Sequence, residues 1–257
     1  MPGVVKFKRL RIFNIVMCVL HLAQAIAVLI LSEGYSVTGT TSFLTWNEAA
    51  GSPVATTKNL IDFPIGPMVA AFLLISCVAH FIMASPNYYP RYVRNLKKGI
   101  NYLRWYEYSL SASLMVVLIG MLCGIFDVPT MILLFGLTAA MNLFGLEMEL
   151  RNQGADKVDW TPFTLGCIVG IIPWIVMAWY FFAALSNSSD AVPTFVYFIL
   201  GILFVFFFSF ALNMWLQYKK VGPWKNYLFG ERVYMILSLT AKSALAWQVF
   251  AGTLRGF

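Results

Sequence analysis

In Leu237-Ser-Leu-Thr-Ala-Lys242-Ser-Ala-Leu-Ala-Trp-Gln-Val-Phe250 a single lysine, Lys242, interrupts the last apolar segment of the chain, Val233 to Phe250. A charged side chain at bilayer mid-depth costs about 2.5–3.5 kcal/mol on insertion scales, so such residues are kept for a reason. A lysine amine in an apolar pocket can condense with an aldehyde to form a Schiff base. Deep in an earlier segment, Asn101-Tyr-Leu-Arg-Trp-Tyr-Glu107-Tyr-Ser-Leu-Ser-Ala-Ser-Leu-Met115 holds one carboxylate, Glu107. Glu107 can balance Lys242 as the counterion of a bound group. A structural ion pair is the alternative reading of the same two residues.

Working outward, the whole composition is that of a membrane protein. The chain is 60% hydrophobic and 11% charged, with mean hydropathy +0.76, whereas soluble domains carry about 25% charged residues. The net charge of +7 does not argue for nucleic acid, because the basic residues fall in short loops where they set membrane orientation. Cys18, Cys77, Cys123 and Cys167 all lie in apolar segments without CxxC spacing. They read as small hydrophobes rather than a disulfide framework or a metal site. Lys6, Lys8, Arg9 and Arg11 precede the apolar run Ile12–Leu31. That run is too long for a signal-peptide core, so a retained first helix is expected.

A spanning helix needs about 20 apolar residues. That ruler predicts seven spans, at Leu10–Leu31, Gly66–Ala84, Ile100–Ile125, Thr130–Met148, Thr161–Leu185, Val192–Gln217 and Asn226–Leu254. The fifth is entered through Asp159-Trp-Thr-Pro, a cap signal with proline near the first helical position. The fold class expected is an all-α seven-helix membrane bundle, one domain over residues 1–257. Lys and Arg concentrate at the N-terminus, in 91–98, at Arg151 and Lys157, and at Lys219, Lys220 and Lys225; the alternate loops hold only Lys58 and Arg255. The N-terminus is therefore expected in the cytoplasm and the C-terminus outside. The loop 32–64 is long, rich in Thr, Val and aromatics, and broken by Gly51-Ser-Pro; it predicts an extracellular β-hairpin that caps the bundle or meets a partner subunit. Asn187-Ser-Ser is an N-x-[ST] match in a predicted outer loop, a weak signal.

Ionisable residues inside membrane spans face the bundle interior by default. Depth along the helices, at about 1.5 Å per residue, lets His21, His80, Glu107 and Lys242 share one polar cavity. Helical spacing brings Ser238 and Lys242 to one face, as it does Ser111 and Glu107, and it adds Arg104 beside Glu107, Gln24 beside His21 and Ser76 beside His80. Glu147, Glu149, Glu231 and Arg232 fall nearer the cytoplasmic boundary.

The stretches around Glu107 and Lys242, taken with the spans and the inverted topology, closely resemble the heliorhodopsins. The resemblance covers essentially the whole chain. It implies a bundle of rhodopsin type, usually dimeric, that works as a light-sensing photoreceptor and not as an enzyme. It implies all-trans retinal bound covalently to Lys242 as a protonated Schiff base, with Glu107 as counterion and His21, His80, Ser111 and Ser238 around the Schiff-base cavity. Tyr108, Met115, Met141, Trp174, Phe206 and Trp247 are the candidates for the retinal pocket.

A proton relay needs ionisable steps through both halves of the membrane. Beyond Glu107 this chain has Ser111 and then Leu118, and Ser238 stands where a pump of microbial rhodopsin type has a second acid. Conformational signalling without ion pumping is the expectation, through an unidentified cytoplasmic partner. The alternatives are a light-driven ion or proton transporter, a light-dependent regulator of a bound protein, and a membrane protein that takes no retinal.

Overall fold

The computed structural model describes residues 2–187 and 194–254. Along the chain run α1 (Pro2–Leu31), β1 (Ser36–Asn47), β2 (Ser52–Pro64), α2 (Ile65–Ala84), α3 (Tyr89–Lys97), α4 (Tyr102–Leu122), α5 (Val128–Arg151), α6 (Thr161–Asn187), α7 (Thr194–Tyr218) and α8 (Tyr227–Val249). Among the described residues seven helices are long and apolar enough to cross a membrane, all of these except α3. They are the seven expected spans, with ends moved by a few residues. The Asn187-Ser-Ser match, Val192 and Arg255 extend into residues outside those described.

The apolar ruler misses α3, because this helix is short and two-faced. Tyr92 and Leu96, one turn apart, are buried, while Arg91, Arg94 and Lys97 are exposed. Gly99 closes it at φ +75°, a conformation that favours glycine, and the amide of Ile100 returns to the Asn95 carbonyl at 3.1 Å. The next helices start on polar caps. Asn101 accepts from the Arg104 amide, Asp127 from the Thr130 amide and Asn226 from the Leu228 amide. The expected cap of α6 is present as well, with the Thr161 amide donating to Asp159 at 2.9 Å.

The long loop is the expected hairpin. β1 and β2 pair antiparallel from Ser36 opposite Pro64 to Asn47 opposite Ser52, with an irregularity between Gly39 and Thr40. Its base sits on the turn between α4 and α5. The amide of Thr40 donates to the Phe126 carbonyl at 2.7 Å, and a Cβ on Gly39 would lie 2.5 Å from Phe63 and 2.8 Å from Val128. Glycine thus permits this close approach.

Around the bundle, α1 packs on α2, α2 on α4, α4 on α5, α5 on α6, α7 on α8, and α8 back on α1. Trp174 of α6 meets Phe204 and Phe207 of α7 edge to face. The main apolar core fills the hairpin half, with Val69, Phe72, Leu73, Val116, Leu118, Ile119, Leu245 and Val249 all buried. The buried histidines and charged residues sit on the other side of this plug.

Candidate functional site

Lys242 projects from α8 and is 3% exposed. Its Nζ donates to Ser238 Oγ at 2.7 Å, the i−4 contact that helical spacing anticipates. The same Nζ lies 3.2 Å from Glu107 Oε1 and 5.2 Å from the Tyr108 ring centroid. Glu107 is held in turn by two hydroxyls, Ser76 Oγ from α2 at 2.5 Å and Ser111 Oγ one turn along α4 at 2.7 Å. Both serines donate to the same Oε1 that faces Lys242, and charge-assisted hydrogen bonds of this kind stabilise a buried carboxylate.

His21 and His80 stack, with ring centroids 5.7 Å apart and planes 10° from parallel. His80 Nδ1 shares a 2.8 Å hydrogen bond with Asn14 Oδ1. Neither ring nitrogen of His21 has a hydrogen-bond partner among the described residues, a pattern that suits ordered water, since buried polar nitrogens are normally satisfied. Gln24, grouped with His21 by spacing, is half-buried and accepts instead from Trp247 Nε1 at 3.2 Å.

Two cavities meet at Glu107 and Lys242. The larger runs between α4, α5, α6, α7 and α8, with Lys242 and Ser238 in its wall. Its sides are mostly apolar and aromatic. Tyr108, Met115, Met141 and Trp174 line it, as do Trp105, Phe207 and Phe210. Gly145 and Gly170 shape it, because a Cβ on either would overlap Trp105 or Met141 respectively. The smaller cavity lies between His80, Asn101, Arg104, Glu107, Tyr108 and Glu231.

Two pocket candidates need correction. Phe206 packs, partly buried, against the apolar core of the hairpin half; its neighbour Phe207 takes the wall position. Trp247 does not line the cavity. Five residues after Lys242, it points about 140° away around the helix, is 38% exposed, and contacts Gln24 and Phe250.

A second polar cluster closes the far end. Arg104 bonds both Glu149 and Glu231 and lies over the rings of Trp105 and Tyr234. Trp105 Nε1 donates to Glu149 at 2.6 Å, and Asn101 Nδ2 to Glu231 at 2.6 Å. Tyr92 donates to Glu231 at 3.1 Å and receives the Asn14 amide at 3.5 Å. Hydrogen bonds therefore run from His80 through Asn14 and Tyr92 to the Arg104 cluster. Asn14 and Tyr92 were missed in the sequence. Asn14 had a signal: it lies seven residues before His21, two turns back on one face of an apolar helix.

The walls suit an extended apolar aldehyde, since one end of an apolar cavity carries a lysine amine beside a fixed carboxylate. The heliorhodopsin family model matches residues 10–254. This chain belongs to the heliorhodopsin family. It is accordingly a multi-pass integral membrane protein of the retinal photoreceptor type. Among solved structures, this heliorhodopsin is similar to a light-driven proton pump, LR (Mac), from Leptosphaeria maculans. The TM-score is 0.63 and the identity 14%, covering 92% of each chain. That likeness establishes the rhodopsin fold alone. No curated protein matches the chain.

Proposed function

We propose that this heliorhodopsin is a light sensor that signals by conformational change and moves no ion across the membrane. All-trans retinal would be held covalently by Lys242, with Glu107 as counter-charge. When bound, it supplies a visible-absorbing polyene and the motion of its photoisomerisation. The single observation that carries the reading is Lys242 Nζ placed 3.2 Å from Glu107 at the wall of an apolar cavity.

The chain's own residues do the rest. Tyr108, Met115, Met141 and Trp174 hold the chain of the ligand and exclude water. Ser76 and Ser111 fix the Glu107 carboxylate, so its charge faces the lysine nitrogen. Ser238 accepts the hydrogen on that nitrogen. His21 and His80 are the nearby bases that can take a proton temporarily. The Arg104 cluster ties α4 to α5 and α8 by setting one guanidinium between two carboxylates.

The same map argues against transport. The buried histidines and charged residues described are His21, His80, Arg104, Glu107, Glu149, Glu231 and Lys242. Toward the hairpin, none follows Glu107 in α4, Lys242 in α8 or His21 in α1, and none precedes His80 in α2. A proton leaving Glu107 in that direction meets the apolar plug. The proposal keeps the N-terminus cytoplasmic, from the basic loops, and includes a homodimer and a cytoplasmic signalling partner; it assigns no enzymatic activity.

The test is reconstitution with all-trans retinal, a visible spectrum, and a photocurrent trace. Wild type is expected to form a coloured pigment that gives no photocurrent and no light-induced pH change. Lys242→Ala is expected to form no covalent pigment. Sustained photocurrent would replace this reading with transport; a protein that stays colourless would leave Lys242 and Glu107 as a structural pair.

A further inference from the structure

Cys18 of α1 and Cys77 of α2 bring their sulfurs to 3.4 Å across the helix interface. A disulfide needs about 2.05 Å between sulfurs. The remaining approach, about 1.4 Å by difference, is within reach of side-chain rotation on two helices already packed together. The other two cysteines differ from this pair. Cys123 is buried without a thiol contact, and Cys167 is exposed in α6. Cys77 is buried whereas Cys18 is only partly so, which leaves Cys18 open to a reagent dissolved in the bilayer.

We infer that Cys18 and Cys77 form a reversible redox site, a dithiol that an organic hydroperoxide of the lipid phase converts to an α1–α2 disulfide. The reaction balances. Both S–H bonds and the O–O bond break, and one S–S bond forms. The two sulfurs lose two electrons to the peroxide, and the two protons end on the alcohol and the water that it becomes. A dithiol reductant returns the electrons. The site lies beside functional groups, since Cys18 is three residues before His21, and Cys77 is three before His80 and adjacent to Ser76, which holds Glu107. Oxidation therefore ties α1 to α2 at the level of the histidine stack. The inference does not depend on the chromophore assignment.

The experiment treats the full-length protein in liposomes with tert-butyl hydroperoxide, then labels thiols with N-ethylmaleimide and measures intact and peptide masses. Expected in the oxidised wild type is a mass loss of two hydrogens, no label on Cys18 or Cys77, and a linked pair of their peptides. Dithiothreitol is expected to restore both labels. Cys18→Ser and Cys77→Ser are each expected to give no link and to keep the label on the remaining cysteine. The inference is overturned if wild type keeps both labels after peroxide, if oxygen adds to each sulfur without a link, or if the link joins a different pair.

Discussion

Glu107 is one oxygen atom's reach from everything that matters at the centre of the bundle. Its Oε1 faces Lys242, Ser76 and Ser111 within 3.2, 2.5 and 2.7 Å. Replacing the carboxylate by an amide removes the charge that faces Lys242 while keeping the shape. Glu107→Gln is expected to shift the visible absorption of the retinal-loaded protein to longer wavelength, because a weaker counter-charge lets the positive charge spread along the polyene. An unchanged spectrum would reject Glu107 as the counter-charge. At this scale the sequence was informative about residue types and weak about partners. Ser111 and Ser238 were legible because a helix brings residues four apart together. Ser76 was attached by spacing to His80, yet its hydroxyl reaches Glu107 on another helix, and no spacing rule within one helix contains that contact.

At the scale of the element, helix phase decides which aromatic side chains line the large cavity. Phe207 lines the large cavity and Phe206 turns to the neighbouring core. Phe207→Ala is therefore expected to move the absorption maximum more than Phe206→Ala, with both spectra recorded on retinal-loaded protein; equal shifts would contradict the assigned phase. The start of α6 offers a pH-dependent check. Hydrogen bonds from the Thr161 hydroxyl and amide, helped by Arg151, hold the exposed Asp159 carboxyl below its usual range. A group with a lowered folded pKa stabilises the fold above its unfolded value and loses that contribution as pH falls through the folded one. Asp159→Ala is expected to lower Tm slightly at pH 7, and the gap to wild type should close in acid. A gap independent of pH would mean that the carboxylate is not the cap. Spans and the Asp159 cap were readable from sequence since they depend on local apolar length and on neighbouring donors. The short α3 was not, because an amphipathic helix on the bundle's end lacks the apolar length that marks a span.

Across the whole molecule, charge is zoned. An apolar plug fills the hairpin half, and the buried charged residues and histidines occupy the rest. Arg104 anchors that polar half by joining α4 to Glu149 of α5 and Glu231 of α8. Removing one partner from a buried ion cluster leaves uncompensated charge, at a cost of about 3–5 kcal/mol. Arg104→Ala is expected to lose stability on that scale in a thermal or denaturant unfolding measurement. A loss below about 1 kcal/mol, the level of an exposed pair, would show that the cluster is not a structural anchor.

The sequence alone determined that the chain crosses a membrane, where its spans lie, that its first long loop is a hairpin, and that one lysine and one acid stand apart from the rest. These follow from local quantities: apolar length, turn residues, and the cost of charge in hydrocarbon. Only the tertiary structure decided that Lys242 and Glu107 touch, that Ser76 crosses to the carboxylate, that Phe207 rather than Phe206 lines the cavity, and that Asn14 and Tyr92 link His80 to Arg104. Contacts between helices depend on each helix's rotation about its own axis, and that rotation is set by packing among all seven at once.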